Sequence, residues 1–300
     1  MIKGRVIALL LTLIAFSGCR ETPRADAAKV RKVQLARQQQ LARRLAMADA
    51  NPTKPVPVAQ WIMPPELREI SGLALTSDGR LLTHDDNVGR IFVIDPRSGL
   101  VLKNFYLGTG VHGDFESITI AGDDIYMLDS NGTLYQFREG ADGAGVPFNT
   151  IDLRLGKECE FESMAFQADS DWLVMPCKKA TNTKLQDQLV IYRWRLRRPQ
   201  AQRLSMVTIP VSQIIGQNGW KNFIPSDMTI DPVTGNYVLI ASHEKALAEI
   251  TPAGRVVRSG RVPGVHNQAE GVAITKDGIL IVSDEENRTP AAITLYRWRR

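Results

Sequence analysis

From residue 56 onward the chain is a succession of short apolar runs separated by Gly, Asp, Asn and Pro, without a long segment of helical periodicity. Short apolar runs between turn-forming residues are typical of β-strands, whereas helices need longer periodic segments. The pattern therefore predicts one all-β domain over residues 56–300, long enough to enclose a substantial core.

An internal repeat organises this domain. Five segments align without gaps and share a polar or small start followed by apolar positions: 71–75, 116–120, 162–166, 226–230 and 270–274. Their starts lie 45, 46, 64 and 44 residues apart, and a period of about 40 to 50 residues is typical of four-stranded propeller blades. We predict a β-propeller of five such blades, or six if one is degenerate. An insertion between residues 178 and 222 explains the longest spacing.

A short apolar run at residues 56–63 precedes the first repeat. A propeller ring closes when a strand from one end of the domain joins the blade formed by the other end, which leaves few exposed sheet edges. We therefore expect residues 56–63 to supply the outer strand of the last blade.

The first residues have the features of an export signal. Lys3 and Arg5 precede an apolar run at 6–16, which is followed by Ser17, Gly18 and Cys19. A membrane-spanning helix needs about 20 apolar residues, so this run is too short to be one. Small residues ending in a cysteine resemble the bacterial lipobox, and residues 1–18 are then a cleaved lipoprotein signal peptide. The alternative is an ordinary signal peptide with an unrelated cysteine.

Lipidation of Cys19, with palmitate among its acyl chains, would anchor the protein to a membrane. The next residue is arginine, not the aspartate that resembles an inner-membrane retention signal in enterobacteria. We therefore expect the lipid to hold the protein at the periplasmic side of the outer membrane.

The net charge of +5 is unevenly distributed along the chain. Residues 19–55 carry +6, whereas residues 56–300 carry −3. An exported acidic domain is not expected to bind nucleic acid. Residues 27–48 contain no Gly or Pro and are expected to form a helix or a disordered stalk, so 19–55 is a basic stalk and linker. Its charge suits anionic headgroups or an anionic partner, and a solvated stalk is the other possibility.

Acidic residues cluster at two places that a propeller brings together. The start of an inner strand and the end of the second strand lie at one rim, because the two strands are antiparallel. Inner strands begin with Glu116, Glu162, Asp227 and Glu270, beside Ser71 and Ser226. Second strands end with Asp85, Asp86, Asp129, His243, Glu244, Asp284 and Glu285.

Carboxylates that converge on a narrow channel need a cation, raised pKa values or hydrogen-bond donors. Oxygen ligands suit Ca²⁺ better than zinc. The predicted calcium ligands are Glu116, Glu162 and Glu270 first, then Asp227, Glu244 and Glu285. The alternative is that these acids cap strand ends through backbone N–H groups or buried water.

All four histidines are expected at the same rim: His84, His112, His243 and His266. A histidine beside a metal can act as a general base on bound water. His112 and His243 are therefore candidates for a metal-dependent hydrolase that acts on a lactone or a phosphoester, although the sequence shows no nucleophile paired with a base.

Two cysteines flank the first hairpin of blade three. Cys159 precedes its first strand and Cys177 ends its second strand, so the hairpin would bring them together. An oxidising periplasm permits a disulfide. Two separate buried thiols are the alternative.

Several motifs resemble those of the SdiA-regulated, YjiK-like family of exported propellers: residues 70–73, 161–163, 242–250, 268–272 and 282–285. The resemblance extends over most of 66–300 and implies a propeller with calcium associated with the acids of these motifs. It implies no known reaction. This chain departs from the family pattern at Asp284, an additional acid.

The sequence favours a monomeric, calcium-binding propeller that binds a small-molecule or protein ligand or acts as a scaffold. A hydrolase that uses the channel metal is the alternative. A third possibility is an interaction platform in which the metal only stabilises the ring.

Overall fold

The computed structural model describes residues 23–51, 55–197, 203–216 and 218–299. Within them, five mainly antiparallel sheets form the five blades of a β-propeller, as the repeat predicts. In each blade the strand that begins the repeat is innermost, and the next strands follow outward in chain order.

Two α-helices, two short 3₁₀-helices and twenty-two strands are described. The α-helices are α1 (Pro23–Ala50) and α2 (Val211–Ile215), and the 3₁₀-helices span Pro65–Leu67 and Thr183–Leu185. Strand β1 spans Pro57–Ile62. Blade 1 contains β2 (Ile70–Leu75), β3 (Leu81–Asp85), β4 (Arg90–Asp95) and β5 (Leu100–Leu107). Blade 2 contains β6 (Phe115–Ala121), β7 (Asp124–Asp129), β8 (Thr133–Phe137) and β10 (Phe148–Asp152), while the short β9 (Gly145–Val146) pairs with β5.

The remaining blades follow the same plan. Blade 3 contains β11 (Cys159–Phe161), β12 (Ala165–Gln167), β13 (Trp172–Ala180), β14 (Gln188–Arg195) and β15 (Leu204–Pro210). Blade 4 contains β16 (Asp227–Ile230), β17 (Tyr237–Ala241), β18 (Ala246–Ile250) and β19 (Val256–Arg261). Blade 5 contains β20 (Ala269–Ile274), β21 (Ile279–Asp284) and β22 (Ala292–Arg297).

The ring is closed by a strand from the start of the domain. Strand β1 pairs with β22, with Gln60 opposite Thr294 and Ile62 opposite Ala292, and so becomes the fourth strand of blade 5. The prediction that residues 56–63 supply this outer strand is confirmed. The pairing gives the outer edge of the last blade a hydrogen-bonded neighbour.

The core is a ring of apolar clusters, one between each pair of neighbouring blades. Strand β4 shows how a single strand serves two of them. Ile91 and Val93 pack toward blade 2, whereas Phe92 and Ile94 pack toward blade 5, because successive side chains of a strand point to opposite faces. Strands buried on both faces are apolar throughout, and this is why these runs lack a hydrophobic–polar alternation.

The longest repeat spacing arises in blade 3. Strands β14 and β15 occupy much of residues 178–222, and the insertion proper follows β15 as α2 and an irregular segment up to β16. Ile214 and Phe223 anchor this insertion in the apolar cluster between blades 3 and 4.

Helix α1 packs against the propeller. Leu41, Leu45 and Ala48, spaced along one face, join the apolar cluster between blades 5 and 1. Polar contacts continue the interface: Gln38 Nε2 lies 2.9 Å from Asp95 Oδ2, and Asp49 Oδ1 lies 2.7 Å from Arg297 Nε. The C-terminal half of the basic segment is therefore a docked helix.

We expect Leu41→Ala to lower the free energy of unfolding by about 2 to 3 kcal/mol, because it leaves a cavity between the helix and the blades. The wild-type side chain is 1% exposed. Leu35→Ala, at a position that is 50% exposed, is the matched control and should have little effect. Urea unfolding of the chain without its signal and lipid measures both. Equal effects of the two substitutions would contradict the docked helix.

Candidate functional site

The inner edges of the five blades face a common channel, where their backbone groups lack a neighbouring strand. Side chains from the adjacent blade satisfy many of these groups. Ser71 Oγ donates to Glu116 O, and Ser226 Oγ donates to Ala269 O over 2.8 Å. Ser117 Oγ accepts the N–H of Met164 over 2.9 Å. Hydrogen bonds thus join one blade to the next along the channel.

β-Bulges direct two acids into this channel. The pairing of β6 with β7 skips Glu116, and the pairing of β20 with β21 skips Glu270. A bulged residue is left unpaired, and its side chain is re-aimed relative to the regular strand. Both glutamates are the first residue of the aligned repeat, so one local irregularity recurs at equivalent positions.

Glu116, Glu162 and Glu270 gather at the end of the channel where the inner strands begin, which we call the acidic mouth together with Glu69 and Glu285. Burial, and then the charge of Glu162, raises the pKa of Glu116 to about 9. The same two causes raise the pKa of Glu270 to about 7. Burial also raises the pKa of Glu162. Carboxyl groups at the acidic mouth therefore retain protons near neutral pH.

The hydrogen-bonded carboxyl groups of Glu69 and Glu285 extend the acidic mouth toward blades 5 and 1. Burial and a hydrogen bond with Glu69 raise the pKa of Glu285 to about 8. Burial, followed by the negative charge of Glu69, raises the pKa of Asp86 to about 6. Two carboxyl groups that share a hydrogen bond require a proton between them, so this pair also holds a proton where isolated glutamates are ionised.

One cation of the chain belongs to this cluster. Lys178 Nζ forms ion pairs with Glu162 and, at 3.0 Å, with Glu160. Although burial disfavours its charge, these two acids raise the pKa of Lys178 above its ordinary value. Lys178 follows Cys177, and the structure joins Cys177 to Cys159 in a disulfide within blade 3. The disulfide lies directly beside the residue that carries the counter-charge.

Other predicted ligands have partners elsewhere. Asp227 lies one position further along its strand than the glutamates and is buried, and its Oδ2 accepts the N–H of Val272 over 2.7 Å. Burial raises the pKa of Asp227, although N–H groups of Val272, Met228 and Leu73 oppose that effect. Glu244 accepts the N–H of Ile224, in the blade 3 insertion, over 3.3 Å. Both acids tie backbone segments together, as the strand-capping alternative expects.

The four histidines differ in environment. His84 is fully buried, and burial lowers its pKa to about 4. His266 lies between Asp284 and Tyr296, at 2.6 and 3.0 Å, so the additional acid Asp284 is a partner of a buried histidine. His112 is exposed, and His243 is 88% exposed and contacts Glu244. Among the described residues, neither His112 nor His243 forms a hydrogen bond with a hydroxyl or thiol side chain.

The acidic mouth is a cluster of oxygen donors, not a preformed metal centre. In the part of the chain that the structure describes, no three His, Cys, Asp or Glu side chains converge closely enough to hold a metal ion. The oxygen chemistry suits a hard cation, and burial, followed by neighbouring acids, raises the pKa values of Glu116, Glu270 and Glu285.

Sequence reasoning missed two members of this site. Glu69 stands two residues before the start of the first repeat, where the second and third repeats have Asp114 and Glu160. Lys178 stands at the end of a second strand, where the other blades have polar or acidic residues. A comparison of second-strand ends across the repeats would have identified Lys178 as the exception, and a comparison of the positions two residues before each repeat would have grouped Glu69 with Asp114 and Glu160.

Comparisons with known proteins support the architecture. No protein-family model matches the chain, and no curated protein matches it significantly. Among solved structures, the glutaminyl cyclase of Myxococcus xanthus superposes with a TM-score of 0.54 at 13% identity, covering 80% of this chain and 95% of that one. The PQQ-bound aldose sugar dehydrogenase of Streptomyces coelicolor superposes with a TM-score of 0.51 at 13% identity, covering 79% and 98%. At this identity the similarity concerns the fold alone, and the chain is a β-propeller protein.

The acidic mouth predicts that stability falls with rising pH. Between pH 6.5 and 8.5 the unfolded chain has already released the protons that folded Glu116, Glu270 and Glu285 still hold. The folded state then binds more protons than the unfolded state, so the free energy of unfolding decreases as pH rises. The range begins at pH 6.5 because buried neutral His84 destabilises the fold at lower pH.

Glu116→Gln should reduce this decline by about 2 kcal/mol over the two pH units, because its neutral amide does not titrate. Asp123→Asn, at an exposed position whose carboxyl group lies outside the acidic mouth, is the control. Urea unfolding in the presence of a chelator measures the effect. A stability that does not change with pH, or an identical decline in Glu116→Gln, would contradict the assigned protonation.

Proposed function

We propose that the protein is a lipid-anchored propeller, held at the periplasmic face of the outer membrane, that binds Ca²⁺ at its acidic mouth. The mouth then presents a ligand-binding or scaffolding surface. One observation carries the calcium proposal: Glu116 and Glu270 come from different blades, yet both retain protons because they are buried among other acids. A cation that replaces these protons would reduce the repulsion between the ionised carboxyl groups, because it would supply positive charge to them.

The donor chemistry favours calcium over other metals. The candidate ligands Glu116, Glu270 and Glu285 are half-buried carboxyl groups, and Glu162 is shared with Lys178. Ca²⁺ accepts carboxylate and water oxygens in irregular arrangements, whereas Mg²⁺ demands a near-ideal octahedron and zinc prefers nitrogen and sulfur. Lys178 supplies one positive charge to a group of several acids, and the divalent ion would supply the rest.

The hydrolase alternative has less support in the geometry. It requires a histidine positioned as a base beside the metal, with its proton acceptor directed at bound water. His243 is almost fully exposed and contacts Glu244, which itself holds the insertion of blade 3. We therefore favour a binding role for the acidic mouth.

We expect Ca²⁺ to raise the melting temperature of chelator-treated protein by several degrees, and more than Mg²⁺ does, because an ion bound only to the folded state stabilises it. The double variant Glu116→Gln, Glu270→Gln should lose this response. Asp123→Asn replaces an exposed carboxyl group away from the mouth by an amide and should retain the response. A calorimetric titration should also show tighter binding at pH 8.5 than at 6.5, because the ligands must release protons.

Two results would contradict the calcium site. The first is a wild-type protein that shows no response to Ca²⁺ in either measurement. The second is a double variant that responds as strongly as the wild type. The second result would place any bound calcium away from Glu116 and Glu270.

The membrane attachment is proposed from the lipobox-like sequence, which lies outside the described residues. No described helix has the length and apolarity needed to cross a membrane. We expect mass spectrometry of the mature protein to find an N-terminal Cys19 that carries lipid. In an enterobacterial host, Arg20→Asp should move the protein from outer-membrane to inner-membrane fractions. A mature chain with an unmodified or internal Cys19 would contradict the anchor.

A further inference from the structure

The other end of the channel contains a large cavity of about 830 Å³. Its wall is formed by the apolar ends of all five inner strands, at the fifth position of each repeat: Leu75, Ile120, Phe166, Ile230 and Ile274. The fourth position of four repeats also lines it, and those residues are small, either alanine or threonine. The same repeat therefore builds an acidic mouth at its first position and an apolar chamber at its end.

The cavity is separate from the acidic mouth. No carboxyl group of the mouth is among its lining residues, and Leu73, Met164 and Met228 form its inner boundary. Asp227 lies between the two ends, where it binds backbone N–H groups of Leu73 and Val272 across the channel. A molecule in the cavity would therefore contact apolar side chains and not the carboxyl groups of the acidic mouth.

The cavity opens to solvent between charged residues of both signs, several of them in ion pairs, with the exposed Asp123 and Lys276 beside them. Arg80 lies 2.5 and 3.1 Å from the two carboxylate oxygens of Glu139, and Lys103 pairs with the same carboxylate at 2.7 Å. Arg97 pairs with Asp277 at 2.7 Å. Because the charges at the opening are of both signs, they do not select one sign of ligand charge, and an uncharged ligand leaves the ion pairs intact.

We propose that this cavity binds an uncharged, predominantly apolar small molecule. Its volume lies within the range of about 300 to 1,000 Å³ that is typical of small-molecule sites. The wall supplies apolar contact from every blade, and the hydroxyl groups of Thr76, Thr119, Thr229 and Thr275 add polar contacts. The cavity is a second binding site, distinct in place and chemistry from the acidic mouth.

Helix α1 docks beside the opening of the cavity. Gln34 and Gln38 donate to Asp95, which immediately precedes the lining residues Pro96 and Arg97. With Cys19 anchored, the helix would hold this opening close to the membrane, where apolar molecules concentrate. The orientation toward the membrane rests on the proposed anchor, whereas the cavity and its ligand class do not.

The test uses N-phenyl-1-naphthylamine, an uncharged apolar fluorophore, with the processed chain 20–300 exported without lipid. We expect one saturable site per chain with a blue-shifted emission. Ile120→Asp places a charge on the cavity wall and should weaken binding about ten-fold or more, because the ligand would have to contact an unpaired carboxylate. Thr229→Trp fills the cavity and should weaken binding without adding charge. Val265→Asp, at a position that is 88% exposed, should bind as the wild type does.

Competition distinguishes the ligand class. Dodecanol should displace the fluorophore better than dodecanoate or dodecyltrimethylammonium does. Melting temperatures of each variant establish that it is folded, and Ca²⁺ binding at the acidic mouth should persist in Ile120→Asp and Thr229→Trp. The proposal is overturned if binding is not saturable, if both folded cavity variants bind as the wild type does, or if a charged competitor is the strongest.

Discussion

The unpaired edges of five inner strands meet around one channel, and the rest of the structure depends on how those edges are satisfied. Each blade packs its two faces against its neighbours, so the channel is the place where backbone groups lack a strand partner. Ser71, Ser117, Ser226 and Asp227 supply the missing hydrogen bonds from one blade to another. These polar side chains of the channel therefore have a structural role, whereas Glu116 and Glu270 stand outside the strand pairing and have raised pKa values.

The inner strands are polar at their beginning and apolar at their end, and this gradient divides the channel into two environments. Bulges at Glu116 and Glu270 direct carboxyl groups into the acidic mouth, where burial keeps them protonated unless a cation is present. Four residues further along the chain, apolar side chains line a cavity whose border carries charges of both signs, including the ion pairs of Arg80 with Glu139 and of Arg97 with Asp277. One repeat can thus provide two sites of opposite chemistry, separated by the hydrogen bonds of Asp227.

The sequence predicted the propeller, its five blades and its closing strand because each depends on a pattern that recurs along the chain. It placed Glu116, Glu162 and Glu270 together for the same reason. Asp227 stands at the second position of its repeat, and the alternation of strand side chains already separates it from the glutamates. The role of Glu244 was not predictable, because its partner Ile224 lies in an insertion without a repeat. The docking of α1 uses a narrow stripe around Leu41 within a polar helix, and the cavity arises from distances between strands, so neither has a signature in the sequence.

The central claim is that the acidic mouth holds protons that a cation can replace. Carbon-13 NMR titration of the glutamate side-chain carboxyl groups tests it directly, residue by residue. We expect Glu270, Glu285 and Glu116 to titrate near pH 7, 8 and 9 in the presence of a chelator, and Ca²⁺ to lower all three midpoints. Midpoints close to the ordinary glutamate value of about 4.3 that do not respond to Ca²⁺ would contradict the account.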